Sequence, residues 1–217
     1  MVWRAALLFP QHRCHLHDWL YPWVRAKYVF LLAAHTCCRL GDRHGDNILL
    51  DDQTGDCVHV DFNCVFEKGL KFKTPEHVPF RLTQNIQDGF GVSGPEGVFR
   101  RCCEVTLGVL RENRGALVTV LETLIYDPLV DWSKKAVRVD DCALAVADMW
   151  DFAQSAGKDV LNVIGAKLEG RVLQMRPTPT PMIATPCSVE SQVHELIRQA
   201  TSMENLSVMY MGWMPHI

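Results

Sequence analysis

Apolar residues between Trp19 and Arg39 recur at helical intervals, Val24, Tyr28, Leu31, Leu32 and Cys38 among them, and the segment is apolar on most faces. That pattern predicts a buried helix that delivers the chain into the segment beyond it. The pattern then shortens. Ile48-Leu49-Leu50 and Cys57-Val58-His59-Val60 are brief apolar runs on either side of Asp51-Asp52-Gln53-Thr54-Gly55-Asp56, whose acidic, glycine-containing chemistry suits a turn between two strands. A β-hairpin here returns Asp61, just after the second run, to the side of Asn47, just before the first. A polar stretch without periodicity follows, with Glu67, Lys68, Lys71, Lys73, Pro75 and Pro79, and ends near Phe80-Arg81-Leu82.

From Pro95 onward the pattern is helical. Gly94-Pro95 predicts a helix start, with Val98, Cys102, Val105 and Val109 as one apolar stripe. Leu117, Val120, Leu121 and Leu124 form a second stripe, stopped at Asp127-Pro128. Two further helical stretches fall within Asp141 to Ser155 and Lys158 to Gln174. Arg176-Pro177-Thr178-Pro179-Thr180-Pro181 then reads as an extended linker. The last thirty residues read as a separate unit. Val193, Leu196, Ile197 and Ala200 share one helical face, and Thr201-Ser202-Met203-Glu204 fits a capping box opening another helix with Leu206, Met209 and Tyr210 on its apolar side. The expected fold class is α+β, mostly α, with one short hairpin.

With 217 residues and 48% hydrophobic content, the chain can fill one good-sized core or two small ones. A net charge of −3 gives no electrostatic footprint for nucleic acid. Nine cysteines, two vicinal pairs among them and no C-x-x-C, point to free thiols in a reducing compartment. The apolar run Tyr28 to Ala34 is far short of the ~20 residues that span a bilayer. Met1 to Pro10 is a poor secretory signal. A soluble intracellular protein is expected.

The candidate chemistry lies at the hairpin. Leu40-Gly41-Asp42-Arg43-His44-Gly45-Asp46-Asn47-Ile48-Leu49-Leu50, with Val60-Asp61-Phe62-Asn63 after it, puts a base-like aspartate, a histidine and two oxygen ligands within a short span. Phosphoryl transfer needs such a set: one group to orient the attacking hydroxyl, and oxygen ligands to hold metal ions against the phosphates. Protein kinases place base and metal-binding asparagine as D-x-x-x-x-N, and a second metal-binding aspartate in D-F-G. Asp42 and Asn47 have that spacing, and Asp61-Phe62 begins the second motif.

Ordinary protein kinases read His-Arg-Asp at the base, whereas this chain reads Asp42-Arg43-His44. The inverted order within LGDRHGDNILL resembles the phosphatidylinositol 3-kinase superfamily. The resemblance implies that Asp42 is the catalytic base, that Arg43 and His44 belong to the catalytic group with His44 near the transferred phosphate, and that Asn47 and Asp61 hold magnesium. It implies Leu49 and Val60 on the floor of the adenine pocket, ATP with Mg2+ (or Mn2+) as cofactors, and an activation loop after Asp61. The ending Tyr210-Met211-Gly212-Trp213 is similar to the FATC segment, which closes the family's large protein kinases and is missing from its lipid kinases. On that basis the chain divides into a divergent segment 1–20, a kinase large lobe 21–155, a regulatory helix and Pro-rich linker 156–187, and a FATC domain 188–217.

The resemblance is strongest to the ATR-type DNA-damage checkpoint branch, through GDRHGDNILL, CVHVDFNCVF, VPFRLTQN, EGVFRRCCEV, DPLVDW and ENLSVMYMGW. It implies a nuclear serine/threonine protein kinase acting on Ser or Thr followed by Gln, with a partner subunit that recruits it to damaged DNA. It implies no direct nucleic-acid binding by this segment and no membrane. Two departures stand out. Arg39 stands where a small glycine is expected, which packs a bulky charge close to the catalytic turn. Asn63 replaces the glycine of D-F-G and is expected to take the positive φ in its place. Only forty-one residues precede Asp42, and Lys27 is their sole lysine. The chain is therefore expected to be the large lobe and tail of a longer protein, inactive without a small lobe. The competing readings are a phosphoinositide lipid kinase and a non-catalytic interaction fragment.

Three other patterns carry less. Gly89-Phe90-Gly91-Val92-Ser93-Gly94 satisfies G-x-G-x-x-G but follows a polar stretch rather than a strand, so it reads as an inter-helix turn. His12, Cys14, His15 and His17 crowd together without a second ligand pair. Lys68, Lys71 and Lys73 read as a solvated face.

Overall fold

The computed structural model describes residues 2–4, 39–51, 57–125, 157–173 and 185–213. The expected helix before Arg39, the histidine-cysteine cluster, the stretch 141–155 and the Pro-rich linker lie outside them.

Strands β2 (Ile48–Asp51) and β3 (Cys57–His59) pair antiparallel, Ile48 with His59, Leu49 with Val58 and Leu50 with Cys57, as the two apolar runs require. A third strand, β1 (Val2–Arg4), adds to the other edge of β2 in the order β1-β2-β3. Three residues with no alternation of their own gave no strand signal in the sequence. Ile48 and His59 are buried on one face of the hairpin, while Leu49 is half-buried and its partner Val58 exposed on the other. The hairpin thus keeps one face open at the site.

The rest is helical: α1 (Gln84–Gly89), α2 (Val98–Glu112), α3 (Arg114–Ile125), α4 (157–168), α5 (Val189–Thr201) and the single turn α6 (Met203–Leu206). The glycine-rich run joins α1 to α2 as a 3-10 turn over Gly91–Glu96, kinked at Gly94 (φ 49°). Helix α2 starts at Val98, three residues past Pro95, and the buried stripe is not the expected one. Phe99, Cys103 and Leu107 face the core, whereas Val98, Val105 and Val109 are exposed. Both sets satisfy the helical period. Phe99 and Leu107 carry the larger apolar areas, so their face is the one buried. On α3, Leu117 and Leu121 pack inward with Val118, and Val120 points out.

Helix α5 of the tail packs into the core formed by the preceding residues. Val193, Leu196, Ile197 and Ala200 of α5 share one core with Phe80, Leu82, Ile86, Phe90, Phe99, Cys103, Leu107 and Val172. Phe90 stacks on Phe99 at 4.8 Å between ring centroids. Gln192 of α5, 1% exposed, accepts from Arg111 Nε (3.1 Å) and Nη2, and its amide donates to the carbonyls of Lys167 (2.8 Å) and Arg171 (3.3 Å). A buried amide with both ends satisfied fixes the register of three segments at once. Gly170 (φ 94°) turns the chain out of α4, where a Cβ would stand 2.6 Å from both Arg111 Nη2 and the Cys187 carbonyl oxygen.

Ser188 caps α5, its hydroxyl accepting from the Ser191 amide at 3.2 Å. The capping box expected at Thr201 does not form. Thr201 is still inside α5 and its hydroxyl donates back to the Ile197 carbonyl (2.9 Å), so Ser202 takes the N-cap position of α6, without a side-chain bond.

Candidate active site

The catalytic loop is built around Arg43. Its guanidinium, 1% exposed, donates to four carbonyls: Gly41 through Nε at 2.8 Å, Asn47 at 3.2 Å and Val60 at 2.7 Å through Nη1, and Asp61 through Nη2. Arginine suits this position because its planar donors diverge in fixed directions. Val60 N–H adds a bond to the Asn47 carbonyl at 3.1 Å. The start of β2 and the end of β3 are therefore tied through one cation, which holds Asn47 and Asp61 at the same end of the hairpin. Burial lowers the Arg43 pKa from its ordinary value, and the neighbouring charges of Asp42 and Asp61 offset part of that. His59 lies buried behind the sheet, pushed down to about 4 by burial and then by Arg43, and so is neutral at ordinary pH.

Asp42 and Asp61 both adopt left-handed backbone, φ 57° and 59°. For residues other than glycine that conformation costs about 1 kcal/mol, and it persists where the surroundings fix it. Asp42 N–H donates to Glu76 Oε1 at 2.7 Å, and its carbonyl accepts from Asn47 Nδ2 at 2.8 Å. Asp61 Oδ1 accepts from Asn63 N–H at 3.1 Å. This revises the expectation for Asn63: the positive φ falls on Asp61 itself, and Asn63 contributes its backbone amide.

Asp42 and His44 are half-buried and Asp61 is exposed. The Asn47 side chain is buried and its amide nitrogen is spent on Asp42, which leaves Oδ1 as the group able to serve as an oxygen ligand. One amide oxygen and one exposed carboxylate suit Mg2+, a hard ion commonly held by one or two carboxylates together with substrate phosphates. Leu49 sits on the open face of the hairpin, and Val60, also half-buried, lies one residue past β3.

Arg39 is buried with its side chain directed away from the turn. Its backbone takes φ 36°, in the left-handed region that favours glycine, which accounts for the glycine expected there. Its side chain, 2% exposed, pairs with Glu67 (2.7 Å), with further bonds to the carbonyls of Glu76 (2.8 Å) and Val78 (3.4 Å). Lys167 of α4 reaches the other Glu67 oxygen at 2.5 Å. Glu67 joins the segment after Asp61 to both the catalytic loop and α4. Neither this triad nor Glu76 was visible in the sequence, because neither shows periodicity or motif spacing.

Burial alone would raise the Glu67 pKa, but Lys167 and Arg39 outweigh it and hold the carboxyl below its ordinary value. A depressed folded pKa means that the stabilisation is complete above the unfolded carboxylate range and is lost as pH falls through the folded value. Glu67→Ala strands two buried cations, at about 3–5 kcal/mol. Hydrogen exchange across residues 64–81 is expected to quicken in that variant at neutral pH, and the difference from the native chain is expected to shrink on acidification. Unchanged exchange at neutral pH would show that the triad stabilises nothing.

Residues 27–134 match the family described as Phosphatidylinositol 3- and 4-kinase, and residues 186–217 match the FATC domain. The chain is 44% identical over 209 residues to serine/threonine-protein kinase ATR of Oryza sativa subsp. indica, covering 88% of this chain and 7% of that relative. It is 48% identical over 180 residues to ATR of Arabidopsis thaliana, covering 81% of this chain and 6% of the relative. In structure it is similar to the FAT and kinase domain of CtTel1, with TM-score 0.69 and 38% identity over 91% of this chain and 12% of that one. The chain thus spans a small fraction of the curated relatives it matches.

Proposed function

The chain belongs to the phosphatidylinositol 3-kinase-related protein kinases, and from that membership we propose that it forms the catalytic large lobe and tail of a nuclear checkpoint kinase, transferring the ATP γ-phosphate to Ser or Thr followed by Gln on protein substrates. The observation that carries the reading is that the Arg43 guanidinium ties the Asn47 and Asp61 carbonyls together while the Asn47 side-chain amide donates to the Asp42 carbonyl. Asp42 orients the acceptor hydroxyl and takes its proton. His44 lies beside the transferred phosphoryl group. Asn47 Oδ1 and the Asp61 carboxylate would hold Mg2+, which would offset the negative charge of the phosphates. Leu49 and Val60 give the adenine an apolar floor. Arg43, with its donors spent on carbonyls, positions the others.

A partner subunit that brings the complete kinase to damaged DNA is part of this reading. No described helix is long and apolar enough to cross a membrane. The test is phosphate transfer by the purified complete protein to three acceptors: a Ser-Gln peptide, the same peptide with Gln replaced by Ala, and phosphoinositide vesicles. Transfer to the first alone is expected. Transfer to the vesicles would favour a lipid kinase. Nucleotide binding without transfer to any acceptor would favour an interaction module.

A further inference from the structure

Glu76 is a carboxylate buried to 5% exposure in the segment after Asp61, and the roles proposed above make no use of it. It sits between two glycines from different parts of the chain. A Cβ on Gly41 would stand 2.7 Å from Glu76 Oε2, and a Cβ on Gly69 would collide with the same oxygen. Its backbone is fixed at both ends: the amide donates to the Gly69 carbonyl at 3.1 Å, and the carbonyl accepts from Arg39 Nη2 at 2.8 Å. With that frame held, Oε1 meets the Asp42 amide at 2.7 Å. The Gly41 amide, one residue earlier, donates to the Cys64 carbonyl at 2.8 Å, so the two loops are in register at adjacent residues.

We infer that Glu76 is a positioning residue for phosphoryl transfer, clamping Asp42 in its left-handed conformation and making that conformation depend on the placement of residues 64–80. The inference rests on Asp42 being the group that orients the acceptor hydroxyl. Both polar groups of the Asp42 peptide frame are engaged, the amide by Glu76 and the carbonyl by Asn47. Loss of the first leaves a strained backbone held from one side only. The carboxyl group is faced by Arg39, Arg43, Asp42 and Cys64, and burial leads the causes that raise its pKa above the ordinary carboxylate value. The Asp42 amide is the partner that Oε1 satisfies.

Glu76→Ala and Glu76→Gln, made in the complete protein, test this. Glutamine keeps an acceptor oxygen at Oε1, whereas alanine does not. Glu76→Ala is expected to lower kcat about tenfold or more, as loss of a buried acceptor that leaves the Asp42 amide unpaired implies, with the KM for ATP changed less than about twofold. Exchange at the Asp42 amide is expected to quicken by a similar factor. Glu76→Gln is expected to recover most of both. Native kcat and slow Asp42 exchange in Glu76→Ala would overturn the inference. So would a Glu76→Gln variant as impaired as the alanine one, because then the charge or the packing matters and not the acceptor. Nucleotide affinity identifies a variant that has failed to fold, in which case Glu76→Gln alone decides. An active Asp42→Asn control would overturn the role of Asp42, and with it the catalytic part of this inference, while Asp42 exchange still judges the clamp.

Discussion

Asp42→Ala and Asp61→Ala in the complete protein are each expected to abolish turnover, and only the second to weaken magnesium-nucleotide binding. Removing a positioned base typically costs about 10²–10⁴-fold in rate. In the proposed roles Asp42 is not a metal ligand, so its loss is expected to leave nucleotide affinity nearly intact. Asp61 offers the one exposed carboxylate of the set, beside an asparagine whose remaining group is a neutral oxygen. Without it the cation keeps a single uncharged protein ligand, and affinity for the metal nucleotide falls with turnover. Both positions have left-handed backbone, which alanine tolerates poorly, so asparagine variants are the cleaner probes. Asp42→Asn keeps the backbone and removes the base. Asp61→Asn keeps the bond from Asn63 and removes the ligand charge. Binding of the magnesium nucleotide by calorimetry or fluorescence, beside steady-state turnover, separates the roles. Equal nucleotide affinity in the two Asn variants would overturn the division.

The site is readable in the sequence wherever local spacing fixes geometry. The D-x-x-x-x-N span leads directly into β2, and the two apolar runs form one short hairpin, so spacing alone places Asn47 and Asp61 together. The apolar face of α5 is readable for the same reason, since four residues at helical intervals leave one way to bury them. The remainder depends on contacts across long stretches of chain. Glu76 meets Asp42 across thirty-four residues, and Lys167 meets Glu67 across a hundred. A lone carboxylate in a polar stretch looks the same whether it is solvated or clamped. The stripe on α2 fails for another reason: two apolar ridges of helical period run along one helix, and period does not separate them, whereas the larger side chains of Phe99 and Leu107 do. β1 lies beyond reach because a three-residue edge strand is defined by its partner and not by its own pattern.

The tail carries the other large expected effect. Trp213 is 3% exposed and packs with Val78, Leu206 and Met209, and the Met209 sulfur accepts the His77 amide at 3.3 Å. The Arg81 guanidinium lies 5.4 Å from the centre of the Trp213 ring, and its Nη1 donates to the Arg43 carbonyl at 3.2 Å. The ring is thus two contacts from the residue that holds the catalytic loop. Removing it takes away a cation–π contact worth about 0.5–2 kcal/mol and opens a hole beside Val78. A buried tryptophan changed to alanine costs about 3–5 kcal/mol, with less at a docking surface. Trp213→Ala in the complete protein is therefore expected to lower kcat about tenfold while nucleotide affinity changes little, because Asn47 and Asp61 keep their own bonds. Trp213→Phe retains a ring under Arg81 and is expected to fall between the two. Full activity in Trp213→Ala, or a tail cleaved by protease as readily as a free peptide, would show that residues 203–213 are an extension without influence on the site.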